Sequence, residues 1–369
     1  MKQSLCEKMT GKIQDLTALN QEFDSAFLRR KVDRLTDLQL EAQLEFQDVR
    51  NYPELRWRKI EVISNHETSS PKEDEPYPLM LKNHESKKLI MFNGTYGGDS
   101  NAFVSQNVDT LGMSATFRLK VNEDFTNYFS HTPNGEFLAF KMQVGNKKML
   151  RLGRENFWYN HPDIPLDDLG EVFAFCPDTR KLLFIDEKNN FKTFAFHPRE
   201  QVSIDFDTGG QQLEKIDQIE FSKEGSYFFT ISKDTQIALW DYKARKLVTT
   251  FEGFIYGSAF SPQGDRLLIG GWDGIIEINT KTGEKRSYLQ TPLNSAEQYS
   301  SLAFDDTGEF LLVGKGDGNL EIYDFETRKR IQKIKVGDTP IRKAFFACKE
   351  RIVAGDKNNI YILGNKRRK

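Results

Sequence analysis

One pattern of strands and turns recurs along most of the chain. Each copy has a short run that ends in phenylalanine, then a polar turn, an apolar strand, a second tight turn and another strand. The phenylalanines lie 39 to 46 residues apart, at Phe129, Phe175, Phe221, Phe260, Phe304 and Phe345. A period of this length with several short strands in each copy is typical of β-propellers. The period therefore predicts an all-β fold built from repeated sheets.

The turns within each copy carry the residues that tight reversals need. The first turn reads SKEG at 222–225, SPQG at 261–264 and DDTG at 305–308. The second turn carries Asp234 in one copy and Asp-Gly pairs in the next two, at 273–274 and 317–318. Gly accepts the positive φ that such turns require, and Asp can hydrogen-bond to its own backbone. Each copy is therefore expected to fold as a β-meander.

The third strand of each copy has apolar residues at alternate positions. These are Ile237 and Leu239, then Ile276 and Ile278, then Leu320 and Ile322. Side chains two residues apart share a face of a strand, so one face is expected to pack against the neighbouring sheet. This alignment gives Asn279-Thr280 and Tyr323-Asp324 the position that Trp240-Asp241 has in its own copy.

Trp240-Asp241 is the signature dipeptide of WD40-repeat proteins, and the chain resembles that family over roughly residues 75 to 363. The repeats are degenerate, because no other copy keeps the dipeptide and the family's Gly-His pair is missing from every copy. No histidine follows His197, so the family's His–Asp–Trp hydrogen-bond network has no counterpart in the C-terminal half. The resemblance implies a WD40-like β-propeller and identifies no subfamily.

Seven blades are expected, in a propeller that spans residues 53–369. The last copy stops soon after its third strand, and an open sheet edge is an aggregation hazard, so a further strand must come from elsewhere. Residues near 55–64 are expected to supply it. The predicted blades cover residues 75–122, 125–165, 170–213, 216–252, 255–291, 299–336 and 341–363.

Residues 1–52 are predicted to form a separate element. Apolar residues recur every three or four positions from Ile13 to Val49, with a slip of one position at Leu28. This spacing predicts an amphipathic α-helix that ends before Pro53. The slip counts against a long unbroken heptad coil. Three interpretations stay open: a helix packed on its own propeller, a coiled coil with itself or a partner, and a segment that folds on binding.

Composition and motifs argue against several classes of function. The net charge is −2, the mean hydropathy is −0.59, and no apolar run is long enough for a membrane span, so we expect no membrane and no nucleic-acid partner. The three cysteines are far apart and no histidine has a neighbour at metal-ligand spacing, so no disulfide and no metal site are expected. The Gly-rich segments at 92–100 and 313–319 lack the order of a phosphate-binding loop, and no G-x-S-x-G occurs. We therefore expect no enzyme and no cofactor.

The WD40 resemblance implies a partner-binding face. In that family, partners often contact the residue before the second-turn Asp and a residue that opens the first strand. The first set corresponds here to Lys233, Trp272 and Gly316, and the second to Lys215, Phe254 and Gln298. Trp272 and Phe254 come from the same blade, and large aromatic residues often anchor interfaces. Trp272 is either such an anchor or packed against neighbouring loops.

These observations predict a non-enzymatic interaction scaffold that is a subunit of a multiprotein assembly. It is expected to bind other proteins through the propeller face and the N-terminal helix. The alternative is a nuclear or RNA-associated propeller that uses the basic end KRRK at 366–369. The N-terminal residues lack the apolar run of a secretory signal, so a cytoplasmic location is expected, with the nucleus as the alternative.

Overall fold

The computed structural model describes five strands before residue 122 and most of the chain after it. The described residues are 57–64, 79–83, 88–93, 102–107, 113–118, 123–132, 137–154, 164–166, 172–177, 181–186, 188–196, 199–211, 215–232, 236–253, 255–271, 274–290, 298–348, 351–357 and 359–365. The predicted N-terminal helix and the basic end at 366–369 lie outside them.

All regular elements in this described part are β-strands. In chain order they are β1 Trp57–Ser64, β2 Leu79–Asn83, β3 Lys88–Asn93, β4 Ala102–Asn107, β5 Met113–Arg118, β6 Glu123–His131, β7 Phe137–Val144, β8 Lys147–Arg154, β9 Ile164–Pro165, β10 Val172–Phe175, β11 Lys181–Ile185, β12 Phe191–Phe196, β13 Arg199–Ile204, β14 Ile216–Phe221, β15 Tyr227–Ser232, β16 Gln236–Asp241, β17 Lys246–Glu252, β18 Gly257–Phe260, β19 Arg266–Gly270, β20 Gly274–Asn279, β21 Lys285–Gln290, β22 Tyr299–Phe304, β23 Phe310–Lys315, β24 Asn319–Asp324, β25 Arg330–Lys335, β26 Lys343–Cys348, β27 Arg351–Gly355 and β28 Asn359–Asn365.

The described strands form seven four-stranded antiparallel sheets. In the first six sheets, four consecutive strands pair side by side: β2–β5, β6–β9, β10–β13, β14–β17, β18–β21 and β22–β25. The seventh sheet has the order β26-β27-β28-β1, because β1 pairs antiparallel with β28. In this pairing, Val62 lies opposite Tyr361 and Ile63 lies opposite Ile360. The first described strand thus completes the last sheet.

The innermost strands hold neighbouring sheets together. β10 contacts both β6 and β14, and β22 contacts both β18 and β26. β2 of the first sheet also contacts β26 of the seventh. A propeller that closes into a ring leaves no terminal sheet with an uncovered face.

Adjacent sheets pack face to face through large buried side chains. On one face of the fourth sheet, Phe228 and Trp240 stack with ring centroids 5.8 Å apart and pack against Phe191 of the third sheet. On the other face, Phe229 packs against Ile278 of the fifth sheet. The fourth sheet is therefore covered on both sides.

The third strand of the fourth sheet differs from the expected pattern, in which one face is packed. Residues 237–240 are all buried, with at most 2% exposure. Alternate side chains point to opposite faces of a strand, and here both faces meet a neighbouring sheet. The burial therefore extends over four consecutive residues.

The structure corrects the alignment of the third strands. Phe228, Leu267 and Leu311 hold the same position in the second strands of the fourth, fifth and sixth sheets. They pair with Trp240, Ile278 and Tyr323 of the third strands. Ile278-Asn279, and not Asn279-Thr280, thus takes the position of Trp240-Asp241.

The cause of this offset is a shorter second turn in the fifth sheet. Four residues separate the paired Gly270 and Ile275, whereas five separate the paired Gly314 and Leu320 of the sixth sheet. A shift of one residue moves every side chain of a strand to the other face. The alternation of apolar residues alone could not reveal this offset of one residue.

The first turn is closed in the same way in three successive sheets. The side chain of the first turn residue accepts a hydrogen bond from the backbone N–H five positions later. Ser222 accepts from Tyr227, Ser261 from Arg266, and Asp305 from Phe310. The fourth residue of each turn is a glycine with φ of 74° at Gly225, 73° at Gly264 and 78° at Gly308. Residues with a Cβ are strained in this conformation, which explains the glycine.

Removing residues 1–64 is expected to destabilise the protein far more than removing residues 1–52. The longer deletion takes away β1 and leaves β28 as an unpaired edge. Each buried backbone group that loses its partner costs about 1–3 kcal/mol, so the free energy of unfolding should fall by at least about 3 kcal/mol. Denaturant unfolding of both truncated proteins measures the difference. Equal stabilities would show that β1 does not hold the seventh sheet.

Gly257→Ala is expected to lower the free energy of unfolding by about 1–3 kcal/mol, because added atoms overpack a tight contact. A Cβ at residue 257 would lie 2.9 Å from Ser301 Cα, in the neighbouring sheet. Gly253→Ala is the matched control, since a Cβ there meets no atom within 4 Å. Thermal unfolding of the two variants compares them. Similar melting temperatures would contradict the close approach of β18 and β22.

Candidate protein-binding face

Three of the six residues predicted to bind a partner lie in the described part of the chain. Lys215 directly precedes β14, Gln298 directly precedes β22, and Gly316 directly follows β23. All three lie at one edge of the sheets, where the first strands begin and the second strands end; we call this edge the turn face. The other three, Lys233, Phe254 and Trp272, lie outside the described residues.

The structure brings Gln298 and Gly316 together. The Gly316 N–H donates to the Gln298 carbonyl oxygen at 2.9 Å, and a Cβ at residue 316 would lie 3.4 Å from the Gln298 side chain. Next to them, the Ile341 N–H donates to the Lys315 carbonyl oxygen at 3.1 Å. This part of the turn face is therefore held by backbone hydrogen bonds that also reach the start of the seventh sheet.

Lys215 lies on a different sheet from this pair, and its side chain is exposed. The next residue, Ile216, donates its N–H to Asn189 Oδ1 at 3.2 Å. Asn189 belongs to the second turn of the third sheet and has φ of 62°, a conformation that Asn accepts more readily than most residues. The turn of one sheet thus positions the first strand of the next.

Asp186 organises that turn. Its carboxylate accepts the N–H groups of Lys188 and Asn190, both at 2.9 Å, and lies 3.5 Å from Lys192 Nζ. Burial raises the pKa of Asp186, but the hydrogen bonds from Asn190 and Lys188 outweigh it, so the pKa is lowered overall. Asp186 is therefore a structural acceptor within its turn.

The same role recurs in the second turns of the sixth and seventh sheets. Asp317 accepts the Asn319 N–H at 3.1 Å, and Asp356 accepts the Asn359 N–H at 2.7 Å. Tyr361 Oη also donates to Asp356 Oδ2 at 2.7 Å. These carboxylates fix the shape of the turn face by local hydrogen bonds.

Tyr256 adds an exposed aromatic side chain that the sequence prediction missed. It is 37% exposed, and its N–H donates to the Gly270 carbonyl oxygen at 3.0 Å, where β19 ends. Tyrosine offers a rigid apolar ring with a polar end, which suits a binding surface. The sequence signal was the aromatic-rich run FIY at 254–256.

Within the described ranges, no group of three or more His, Cys, Asp and Glu side chains could hold a metal ion. The described residues also contain no helix that is long and apolar enough to cross a membrane.

Known proteins match parts of this sequence. The family model of the anaphase-promoting complex subunit 4 WD40 domain matches residues 259–349. WD repeat-containing protein SL1-17 of Schistosoma mansoni is 30% identical over 39% of this chain and 48% of its own length. Eukaryotic translation initiation factor 3 subunit I of Drosophila ananassae is 27% identical over 33% of this chain and 42% of its own length. The chain thus spans less than half the length of these curated relatives.

The fold is shared with a solved structure. The β-propeller domain of Cps50 (Swd1) from Myceliophteria thermophila aligns with a TM-score of 0.59 at 10% identity. The alignment covers 80% of this chain and 99% of that domain. This likeness shows a β-propeller fold, and the family model and the WD-repeat relatives show that parts of the chain are similar to WD40-repeat proteins.

Asp186→Ala is expected to lower the free energy of unfolding at pH 7 by about 1–3 kcal/mol, because the turn loses its charged acceptor. The lowered pKa means that the carboxylate stabilises the fold above its unfolded-state pKa, near 3.9, and that this contribution is lost as pH falls through the folded-state value. The difference in unfolding free energy between the variant and the unaltered protein should therefore narrow as pH falls below about 3.9. Denaturant unfolding from pH 7 to pH 3 measures it, with the exposed Lys188→Ala as control. A gap that is independent of pH would contradict this role.

Proposed function

We propose that the chain is a seven-bladed propeller, closed by β1, that acts as a non-enzymatic scaffold for protein–protein interactions. Its partner binds the turn face near Tyr256, at the edge where Phe254 and Trp272 were predicted to lie. The predicted N-terminal helix provides a second contact, and the protein works in the cytoplasm as a subunit of a larger assembly.

The observation that carries this proposal is an exposed aromatic residue on a rigid edge. Backbone hydrogen bonds tie Tyr256 to β19 and Gly316 to Gln298, so the turn face holds a fixed shape before a partner arrives. A preformed surface loses little conformational entropy on binding, and aromatic residues are enriched among binding hot spots. The polar residues Lys215 and Gln298 at the same edge would then form part of the polar rim around the binding surface.

The comparisons support a role in an assembly. One relative is named as a subunit of a translation initiation factor, and the matching family model is named for a subunit of the anaphase-promoting complex. The carboxylates of the turn face support the same proposal, because Asp186, Asp317 and Asp356 are committed to hydrogen bonds within their turns. A catalytic base would instead need its carboxylate free to meet a substrate.

The test is affinity capture from native cells with quantitative mass spectrometry. Tyr256→Ala and Trp272→Ala are each expected to lose the same partner, at a cost on the order of 2 kcal/mol or more in binding, without a change in melting temperature. Val202→Ala is the matched control, because Val202 is 46% exposed but lies on β13, an outermost strand away from the turn face. Deletion of residues 1–52 measures the share of binding due to the predicted helix.

Three results would contradict the proposal. If both aromatic variants still capture the partner, the turn face does not take part in the interaction. A lowered melting temperature of Trp272→Ala would instead show Trp272 to be packed within the fold. Partners that consist mainly of RNA, lost steeply as salt rises, would favour a nucleic-acid-binding propeller.

A further inference from the structure

The outermost strand of the fourth sheet is covered by the end of the third sheet. Beyond β13, the Asp207 N–H donates to the Arg245 carbonyl oxygen at 2.9 Å, and the Leu247 N–H donates to the Asp207 carbonyl oxygen at 2.8 Å. Asp207 and Lys246 thereby form an isolated parallel bridge at the start of β17. The chain itself thus occupies part of the backbone edge of the fourth sheet.

An aromatic side chain fastens this covering segment. Phe206 lies between the exposed residues Asp205 and Asp207, and its ring centroid is 4.7 Å from that of Phe191 and 5.6 Å from that of Trp240. Phe191 belongs to the third sheet and Trp240 to the fourth. Packing of a large aromatic ring between two sheets is strongly favourable, so the segment is held by more than its hydrogen bonds.

A lysine of the fifth sheet closes a further part of the same edge. Lys285 on β21 donates through Nζ to the Thr250 carbonyl oxygen on β17 at 2.9 Å, and the same Nζ lies 5.0 Å from the centre of the Phe251 ring. Gly283 approaches β17 so closely that a Cβ there would lie 3.0 Å from Thr249 Cβ. The turn before β21 and the first residue of β21 therefore lie against β17.

An arginine of the sixth sheet closes the outermost strand of the fifth sheet in a similar way. One terminal nitrogen of Arg328 donates to the Ser287 carbonyl oxygen at 3.1 Å and to the Tyr288 carbonyl oxygen at 3.5 Å, and both acceptors are on β21. The Arg328 guanidinium also lies 5.1 Å from the centre of the Tyr288 ring. A long side chain from one sheet again occupies backbone acceptors of the sheet before it.

The turn between the third and fourth strands has the same form in the three successive sheets. Arg245, Gly283 and Arg328 hold the same position in these turns, five residues after the aligned positions of the third strands, and their φ angles are 52°, 74° and 58°. A positive φ is uncommon for a residue other than glycine. The form is therefore kept in spite of its cost at the two arginines, and in the fifth and sixth sheets it brings the turn against the preceding sheet.

The covered strands are of the kind that pair readily with another molecule. β17 contains Val248, Thr249, Thr250 and Phe251, and these residue types are enriched in strands. An outermost strand presents rows of backbone N–H and C=O groups, and a short uncharged run of high strand propensity at such an edge is an aggregation hazard. A strand of a second copy is the nearest occupant in chemistry, because it carries the same run.

We propose that Asp207, Lys285 and Arg328 are edge-capping residues, which prevent β17 and β21 from pairing with the same strands of a second copy of this chain. The caps occupy backbone groups at Leu247 and Thr250 on β17 and at Ser287 on β21, so a pairing strand meets an interrupted row. They block backbone pairing only, and the side chains of these strands stay accessible. The inference concerns self-association and does not rest on the proposed function.

The test is sedimentation velocity of the full chain over a range of concentrations. The double variant Lys285→Met with Arg328→Met keeps long side chains that can pack on Phe251 and Tyr288, but it removes both donors. Its association constant for self-association should exceed that of the unaltered protein by at least about tenfold, because pairing strands gain several backbone hydrogen bonds.

The matched control is Lys243→Met with Lys281→Met. It makes closely similar changes at two exposed residues, in the turns that follow β16 and β20. Its association constant should differ from that of the unaltered protein by less than about twofold. Hydrogen exchange of the associated double variant should show added protection of the amides of β17 and β21, which locates the contact.

Three outcomes would overturn the proposal. The capping variant associates no more strongly than the control, which would show that the edges need no caps. Both double variants associate equally, which would assign the effect to exposed methionine. Association occurs without added protection of β17 and β21, which would place the contact elsewhere. If the capping variant melts at a clearly lower temperature, Lys285→Met alone decides the question against Lys281→Met, since it opens only β17 and leaves Arg328 in place.

Discussion

The burial of both faces of each central sheet is the constraint on which the rest of the structure depends. Phe228 and Trp240 cover one face of the fourth sheet and Phe229 covers the other, and all three are fully buried. Burying a side chain of this size contributes roughly 1.5–3 kcal/mol, and it requires a neighbouring sheet on each side. An open row of sheets would leave its two end faces without that cover. In the proposed closed ring, the contact between β2 and β26 covers such a face, and the pairing of β1 with β28 completes the seventh sheet.

Tight packing between sheets restricts amino-acid substitutions at the packed positions and leaves the edges of the sheets free to vary in sequence. A Cβ at Gly257 would lie 2.9 Å from Ser301 Cα, where β18 approaches β22, and a Cβ at Gly314 on β23 would lie 2.8 Å from the Ile341 side chain, just before β26. Side chains at such positions cannot change without strain, whereas the turns between strands can. Binding surfaces are therefore expected at the turn face and at the outermost strands.

The fold class was predictable because the spacing of the phenylalanines and the composition of the turns are local features. Gly225, Gly264 and Gly308 have the positive φ that the first turns require. The alignment of the fifth sheet was wrong by one residue, because a turn that is one residue shorter leaves the alternation of apolar residues intact. Gln298 and Gly316 were selected by resemblance and do lie together, whereas Tyr256 was missed because the family pattern marks Phe254 instead. The approach of Arg328 to Glu277 at 3.8 Å could not be predicted, since the two residues are far apart in sequence and meet only when two sheets pack.

Hydrogen exchange of the amides in β28 tests the closed ring most directly. In a closed ring, β28 lies between β27 and β1 and unfolds only with the whole domain, so its amides should exchange as slowly as those of β24, the corresponding strand of the sixth sheet. Native-state exchange followed by mass spectrometry reads both strands in one experiment. Equal protection of β24 and β28 is the predicted result. Exchange in β28 that is faster by orders of magnitude, while β24 stays protected, would mean that the ring opens at this sheet and would contradict the account.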